Sequence, residues 1–544
     1  MVNKKKDKTT KQAIKKTMQR KATMLPPAKP NIPQIELPNQ GTSISEFAEI
    51  LGKGVEKKDV FFNRNDEVIE IGKRKRPDDS IEYLGFKELK PKRFVTLMEK
   101  YFEFFGKVQT MFGQMKIIKS MNKSIAELVF NSDVFKDKLP VVERLFTFPM
   151  PVIYNEKLTF PLEGYDKRFG SWLSFNSPII NENMGLEKAK EIIEKVFCEF
   201  CWKKEDDKDR AIAMTLTPFL KGLFRDFNVR TPLWAIIGNR PRVGKDCLAG
   251  ISGMLYEGVN IEETPISTDE KISGNNSEEL RKKVMACFIN GRARFHSANN
   301  KGHINNAFFE QILTSLTHSD RILGTNTTRT FDNELDFSLS GNTGITFSPD
   351  LVNRTIFTHL FYDKEYANKR KFKNRDLHAW VLQNRSLILS AFFSLVKSWI
   401  DNGSIKGSVP FTSFPEWAEV CGGIMENSGY QNPAIVTEED EIIEGLDIET
   451  EEIKKLYESC YDKYPNKWIS RADLVILIKE SEIFSDLNLI FDNDKKKLGH
   501  RLKKFRGRIF SDIKMIDRGL KIRGERQQYK FTHKQDLKEG QQEL

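Results

Sequence analysis

Hydrophobic residues along this chain change spacing from segment to segment, and each spacing predicts a different element. Residues 1–33 hold lysine clusters and prolines with almost nothing apolar to bury, and read as a flexible basic tail. Short strand-like runs at 60–62 and 68–71 precede a helical pattern at 94–105, which predicts a small α+β domain over residues 34–140. Helical patterns at 186–200 and 211–224 make residues 141–228 a helical collar. The run 233–237 (LWAII) is apolar throughout, as a strand covered on both faces must be. Further strands are expected at 293–298, 335–340 and 355–361, alternating with helices at 247–255, 278–289 (ending at Gly291) and 307–316. That alternation argues for a parallel α/β sheet over residues 229–436, with a hairpin at 321–336 and one or two helices of a helical subdomain at 377–399. An acidic linker at 437–448, a basic domain at 449–535 and a tail at 536–544 complete a multi-domain α/β chain.

With 544 residues the chain is too long for one core. Lys and Arg number 87 against 76 Asp and Glu, and the net charge of +11 favours a polyanionic partner. The six cysteines form no disulfide framework. Cys198 and Cys201 make one C-x-x-C that no second pair or nearby histidine completes into a zinc site, so both read as helix-face packing. The most apolar stretch, 387–396, is too short for a bilayer, and the lysine-rich start lacks an apolar signal core; a cytoplasmic, reduced protein without a membrane partner is expected.

Between the buried strand and the next helix stand Gly238, Asn239, Arg240, Pro241, Arg242, Val243, Gly244, Lys245, Asp246 and Cys247. Strand, glycine-containing loop and helix N-terminus together make a phosphate-binding loop, with Lys245 placed for the β- and γ-phosphates of a nucleoside triphosphate. Asn239 stands where the first glycine is usual, unless Gly238 serves with one extra loop residue, and Asp246 replaces the usual Ser or Thr.

The C-terminal domain carries a second signal. Leu498, Leu502 and Phe505 fall on one helical face, while Lys497, His500, Arg501 and Lys504 project elsewhere and suit a DNA major groove. A capped helix at 470–478 before it and two strands within 513–531, joined near Gly524, make a winged helix-turn-helix. Arg523 and Arg526 near that turn are placed for an adjacent groove or phosphates.

The phosphate loop, the turn before Asn299, Ser340-Gly341-Asn342 and the run PDLVNR at 349–354 occur in the order of virus-type AAA+ replicative helicases. More narrowly, TPFLKGLF, GNRPRVGKD, NNKGHINNAFFE, SLSGNTGITFSPDLVNR and FPEWAEVCGGIM resemble the AAA+ self-loading replication-initiator helicases of staphylococcal pathogenicity-island and cassette-element type, over about residues 35–544. The resemblance implies an AAA+ P-loop NTPase core with an N-terminal α+β domain, a helical collar and a C-terminal winged helix. It also implies ATP and Mg2+ as cofactors, single-stranded DNA and double-stranded origin DNA as partners, and a homo-oligomer working as a hexameric ring. By position it makes Lys245, Asn342 and Arg354 catalytic, Asn342 orienting the attacking water and Arg354 reaching a neighbouring subunit's γ-phosphate; a salt bridge to Asp350 is the other reading of Arg354. Lys301 with His303, and Arg329 in the hairpin, are the corresponding candidates for contact with single-stranded DNA.

One departure from the pattern matters. The strand that ordinarily ends in an acidic pair ends here in Ser297-Ala298-Asn299. Asp246 is then the candidate metal ligand, or else a charge that merely complements the helix N-terminus. Glu310 is a candidate general base. The function expected is an ATP-dependent replicative DNA helicase and origin-binding initiator of a mobile element; an ATP-switched initiator without unwinding, or a primase-helicase, are the alternatives.

Overall fold

The computed structural model describes residues 32–39, 41–75, 82–111, 113–266, 273–322, 327–364, 370, 372–435, 448–481, 483–484, 492–505, 509–518 and 528–533. These divide into two compact units, one within residues 1–146 and 161–175, the other within 147–160 and 176–544. The predicted collar span is therefore shared: 141–146 and 161–175 go with the first unit, 147–160 and 176–228 with the second.

The first unit is mixed α and β. Helix Ile44–Glu56 opens with a capping box between Ser43 and Glu46, which satisfies two orphan donors at once. Strands Phe61–Arg64, Glu67–Lys75 and Glu82–Glu88 form an antiparallel sheet, and Gln34–Glu36 pairs parallel to the hairpin Glu103–Thr110 with Gly113–Ile118. Phe47, Leu51, Phe94, Met98, Phe104 and Phe135 fill the core. The helix expected at 94–105 spans Pro91–Tyr101 instead. Its apolar spacing changes at Phe102 and Phe104, both buried with one residue between them, and Phe102 is already extended (φ −137°, ψ 144°).

The second unit is built on a parallel sheet. Strand β1 (Leu233–Gly238) leads to helix α1 (Lys245–Tyr256); β2 (Arg294–Asn300), β3 (Asp336–Asn342) and β4 (Thr355–Leu360) follow. The spatial order is β2-β3-β1-β4, every pair parallel. All six residues of β1 are buried because it is central and covered on both faces. On one face Phe295, Phe309, Phe337 and Phe357 share an apolar cluster, and elsewhere Trp234 of β1 meets Trp417 edge-on at 5.7 Å.

Three predicted elements of this unit take different bounds. The helix expected at 211–224 is Glu205–Leu216 followed by a 3-10 turn Thr217–Leu223, because Pro218 lacks the amide that would continue it. The hairpin expected at 321–336 pairs Thr317–Arg321 with Thr328–Asp332. Buried Asn333 ends it by donating to the carbonyls of Ile312 (2.7 Å) and Ser315 (2.9 Å). Residues 377–399 form two helices, Leu377–Gln383 and Arg385–Asp401, bent by 74°. No single helix among the described residues is long and apolar enough to cross a membrane; this bent pair passes by length and composition, and Ile388, Leu389, Phe392 and Val396 are buried inside the protein.

Toward the C-terminus, α2 (Arg471–Glu480) is capped by Ser470 with Asp473, and α3 (Asp492–Lys504) precedes β5 (Ile513–Arg518) and β6 (Gln528–His533), which pair antiparallel. Leu498, Leu502 and Phe505 are buried with Leu474, Leu477 and Phe531, as their spacing required.

Candidate nucleotide-binding site

The loop after β1 owes its path to two backbone features. Gly244 caps α1 at φ 107°, a left-handed conformation that favours glycine, and Arg242 also takes positive φ at 67°. Gly238 answers the question left open by Asn239. A Cβ at Gly238 would lie 2.5 Å from Val243 and 3.0 Å from Lys245, so the close approach belongs to Gly238. Asn239 is occupied otherwise: its side chain donates to the Tyr362 carbonyl at 3.0 Å and accepts from the Tyr362 amide at 3.1 Å. Arg240 donates to the Lys364 carbonyl at 2.6 Å, and Pro241 is exposed. Burial pushes the Cys247 thiol up to about 11, its carbonyl meets His378 Nε2 at 2.9 Å, and the half-buried residue lines the cavity next to Asp246.

At the carboxyl ends of the strands four polar groups converge. Gly238 and Asn342 are register partners, and Asn342 Oδ1 is buried with no hydrogen-bond partner among the described residues. Ser340 Oγ donates to Asp246 Oδ1 at 2.9 Å and accepts from the Asn299 amide at 3.3 Å. One hydroxyl thus joins the carboxylate on α1 to the end of β2, where the acidic pair is missing. Nothing in the sequence around Ser340 marks it for this part. Nor does the sequence mark Asn300, whose buried side chain donates to the carbonyls of Ser297 (2.9 Å) and Ser340 (3.1 Å) and accepts from the Ile266 amide (2.8 Å). Nearby, burial lowers His296 to about 3, so this imidazole is neutral and serves β2 packing against Ser338.

Lys245 and Asp246 face a cavity of about 300 Å³ that also touches Phe200, Arg370, Phe372 and Asn374. Among the described residues no hydrogen bond or ion pair holds the Lys245 ammonium, although the residue is buried. A nearly buried cation facing a cavity, with an orphaned carbonyl oxygen on the strand next to β1, fits a polyphosphate and its attacking water. No cluster of three or more His, Cys, Asp or Glu among the described residues could hold a metal. Magnesium held by one carboxylate together with phosphate oxygens needs none.

The two cysteines do not share one role. Cys198 is exposed at the end of its helix, whereas Cys201 lies beyond that helix with its Sγ 3.6 Å from the Val243 carbonyl of the loop. The helix ends at Phe197, three residues before the predicted end, where Trp202 Nε1 binds the Phe197 carbonyl at 3.2 Å.

Arg354 stands at the amino ends of the same strands, where Leu233 donates to its carbonyl. The six residues of β1 separate it from Gly238, about 20 Å at 3.3 Å per residue. Its Nη1 donates to the Glu310 carbonyl at 2.8 Å, and no ion pair with Asp350 forms among the described residues. Glu310 accepts from Ser348 at that same end, so it is not placed to act as base beside Lys245. Lys301 is exposed, His303 meets Thr346 Oγ1 at 2.9 Å, and Arg329 is half-buried opposite Asp320 in the hairpin.

In the C-terminal region Arg501 packs its guanidinium 5.3 Å over the Phe484 ring, so it is not the projecting cation expected. Lys497 is exposed and pairs with Asp494 at 2.9 Å. Lys496, His500 and Lys503 are also exposed, and with Arg471 they line a cleft against Asp517 and Tyr529. The Lys504 side chain, Arg523 and Arg526 lie outside the described residues.

No protein-family model matches the chain, and no curated protein is significantly similar to it. Solved structures are similar in part. The apo C-terminal region of NrS-1 has TM-score 0.35 at 10% identity, covering 76% of this chain and 91% of its own. An active helicase, Cch of SCCmec type IV, has TM-score 0.34 at 10% identity, covering 88% and 98%. The JCV helicase with a bound inhibitor has TM-score 0.21 at 13% identity, covering 43% of this chain and 57% of that one. Scores this low carry no functional weight, which rests on the site.

Proposed function

We propose that this chain is an ATP-driven DNA helicase that also binds its replication origin, with an AAA+ motor and a C-terminal winged helix. The supporting observation is the convergence, at one end of the parallel sheet, of Gly238, Lys245, Asp246 and the orphaned Asn342 oxygen. Lys245 binds the β- and γ-phosphates, and Asn342 Oδ1 orients the attacking water. Asp246 holds magnesium, which when bound neutralises charge shared between phosphate oxygens. Ser340 aims that carboxylate toward the end of β2, so Asp246 serves in place of the acid absent from Ser297-Ala298-Asn299. Arg354 is too far from its own loop to act there and serves a neighbouring copy, which requires head-to-tail subunits in a ring, expected to be a hexamer. The basic face of α3 and the pair β5–β6 support duplex binding.

A second reading has one observation behind it. With no carboxylate at the end of β2, nucleotide binding alone would switch assembly of an initiator that unwinds nothing. Displacement of a labelled strand from forked DNA with ATP and magnesium separates the two. The helicase reading expects displacement by the parent protein and none by Lys245→Ala, with duplex binding retained. Absence of displacement by the parent, with nucleotide-dependent assembly intact, favours the initiator.

A further inference from the structure

Beyond Lys245 the cavity continues between the end of the preceding helix and residues 372–375. Phe200 forms one wall, its ring 3.5 Å from where a Cβ on Gly244 would sit, so it lies directly against the phosphate loop. Phe372 stands at the mouth 44% exposed, with the Arg370 guanidinium 4.8 Å from its ring. Arg370 also donates to the Val243 carbonyl of the loop (3.2 Å) and the Glu199 carbonyl (2.6 Å), tying this wall to the phosphate site. Glu199 uses both carboxylate oxygens on successive amides, accepting from Lys373 at 2.7 Å and Asn374 at 3.1 Å. A single side chain therefore fixes the backbone that presents Asn374 to the cavity. Among the described residues the Asn374 side-chain amide has no protein partner, and it offers one donor and one acceptor side by side.

Two aromatic rings and a pre-positioned amide, lining the same cavity as Lys245, are the ingredients of nucleobase recognition. We infer that this compartment seats adenine, that Phe200 and Phe372 stack on it, and that Asn374 selects it by pairing with N6 and N7; Glu199 is the positioning residue. The inference rests on the nucleotide reading above. An asparagine amide matches the amino donor and ring acceptor of adenine's N6/N7 edge, whereas guanine presents two acceptors there. A cavity of about 300 Å³ is of the size that takes a small ligand.

Equilibrium binding to the full chain tests this with four probes: ATP, GTP, 7-deaza-ATP, which lacks the N7 acceptor, and inorganic tripolyphosphate, which lacks a base. The parent protein should prefer ATP to GTP and to 7-deaza-ATP by about tenfold, and Asn374→Ala should bind all three alike. Phe200→Ala should lose about tenfold for ATP and nothing for tripolyphosphate. In Glu199→Gln the ATP preference should fall while tripolyphosphate binding stays, because a side-chain amide group would face one of the two backbone donors. An unchanged ATP preference in Asn374→Ala overturns the assignment. A parent protein that binds tripolyphosphate through Lys245 but ATP no better refutes the base seat and leaves the phosphate site standing; one that binds neither refutes both.

Discussion

The two ends of the parallel sheet differ in what they complete. At the carboxyl ends, neighbouring strands bring Gly238, Ser340 and Asn342 together, and α1 adds Lys245 and, hydrogen-bonded to Ser340, Asp246. At the amino ends Arg354 is held by a backbone carbonyl, with none of those groups within its length. A parallel sheet explains the difference, since every strand delivers its carboxyl end to the same side and the loops leaving that side converge. One end can be a site within one chain; the other can only be offered to something outside it.

The largest expected effect attacks that asymmetry directly. Arg354→Ala should leave nucleotide binding within a few-fold of the parent but reduce hydrolysis by about 10³ or more. Rings mixing Arg354→Ala with Lys245→Ala subunits should recover turnover where an intact loop meets an intact arginine. Additive, concentration-independent activities in the mixture would make the amino end purely structural.

A smaller effect sharpens the carboxyl end. Asp246→Asn should lower hydrolysis by at least about 100-fold and raise the magnesium concentration needed for half-maximal rate, because a neutral amide binds a hard cation less well. Ser340→Ala, which frees that carboxylate and the Asn299 amide, should cost about tenfold and shift the magnesium requirement the same way. Parental turnover of Asp246→Asn at low magnesium would leave Asp246 as a helix-end charge.

The smallest effect leaves both ends of the sheet alone. Lys496→Glu or Lys503→Glu on α3 should weaken duplex binding and flatten its salt dependence by about one unit of slope each, with DNA-independent ATP turnover unchanged. Identical salt slopes would remove this face from the DNA interface.

Much of the fold was legible because its signals are local. The run at 233–237 had to be covered on both faces, and the spacing of Leu498, Leu502 and Phe505 had to face a core, whatever the rest of the chain did. Boundaries were less legible. The end of the helix at Tyr101 depended on extended Phe102 leading into the strand that holds Phe104, and the hairpin's shift depended on carbonyls that buried Asn333 finds about twenty residues away.

The site divides along the same line. Gly-Lys between strand and helix is a covenant of neighbours in sequence, so Lys245 and its loop could be read directly, as could the missing acid at Ser297-Ala298-Asn299. Which glycine makes the close approach, that Asn239 is spent on Tyr362, that Ser340 joins Asp246 to Asn299, and that Glu199 presents Asn374 are matters of distance in space. Residue type and spacing set what each side chain is able to donate, accept or bury. Only packing decides which partner it finds, because a buried polar group must be satisfied by whatever the folded chain brings within about 3 Å.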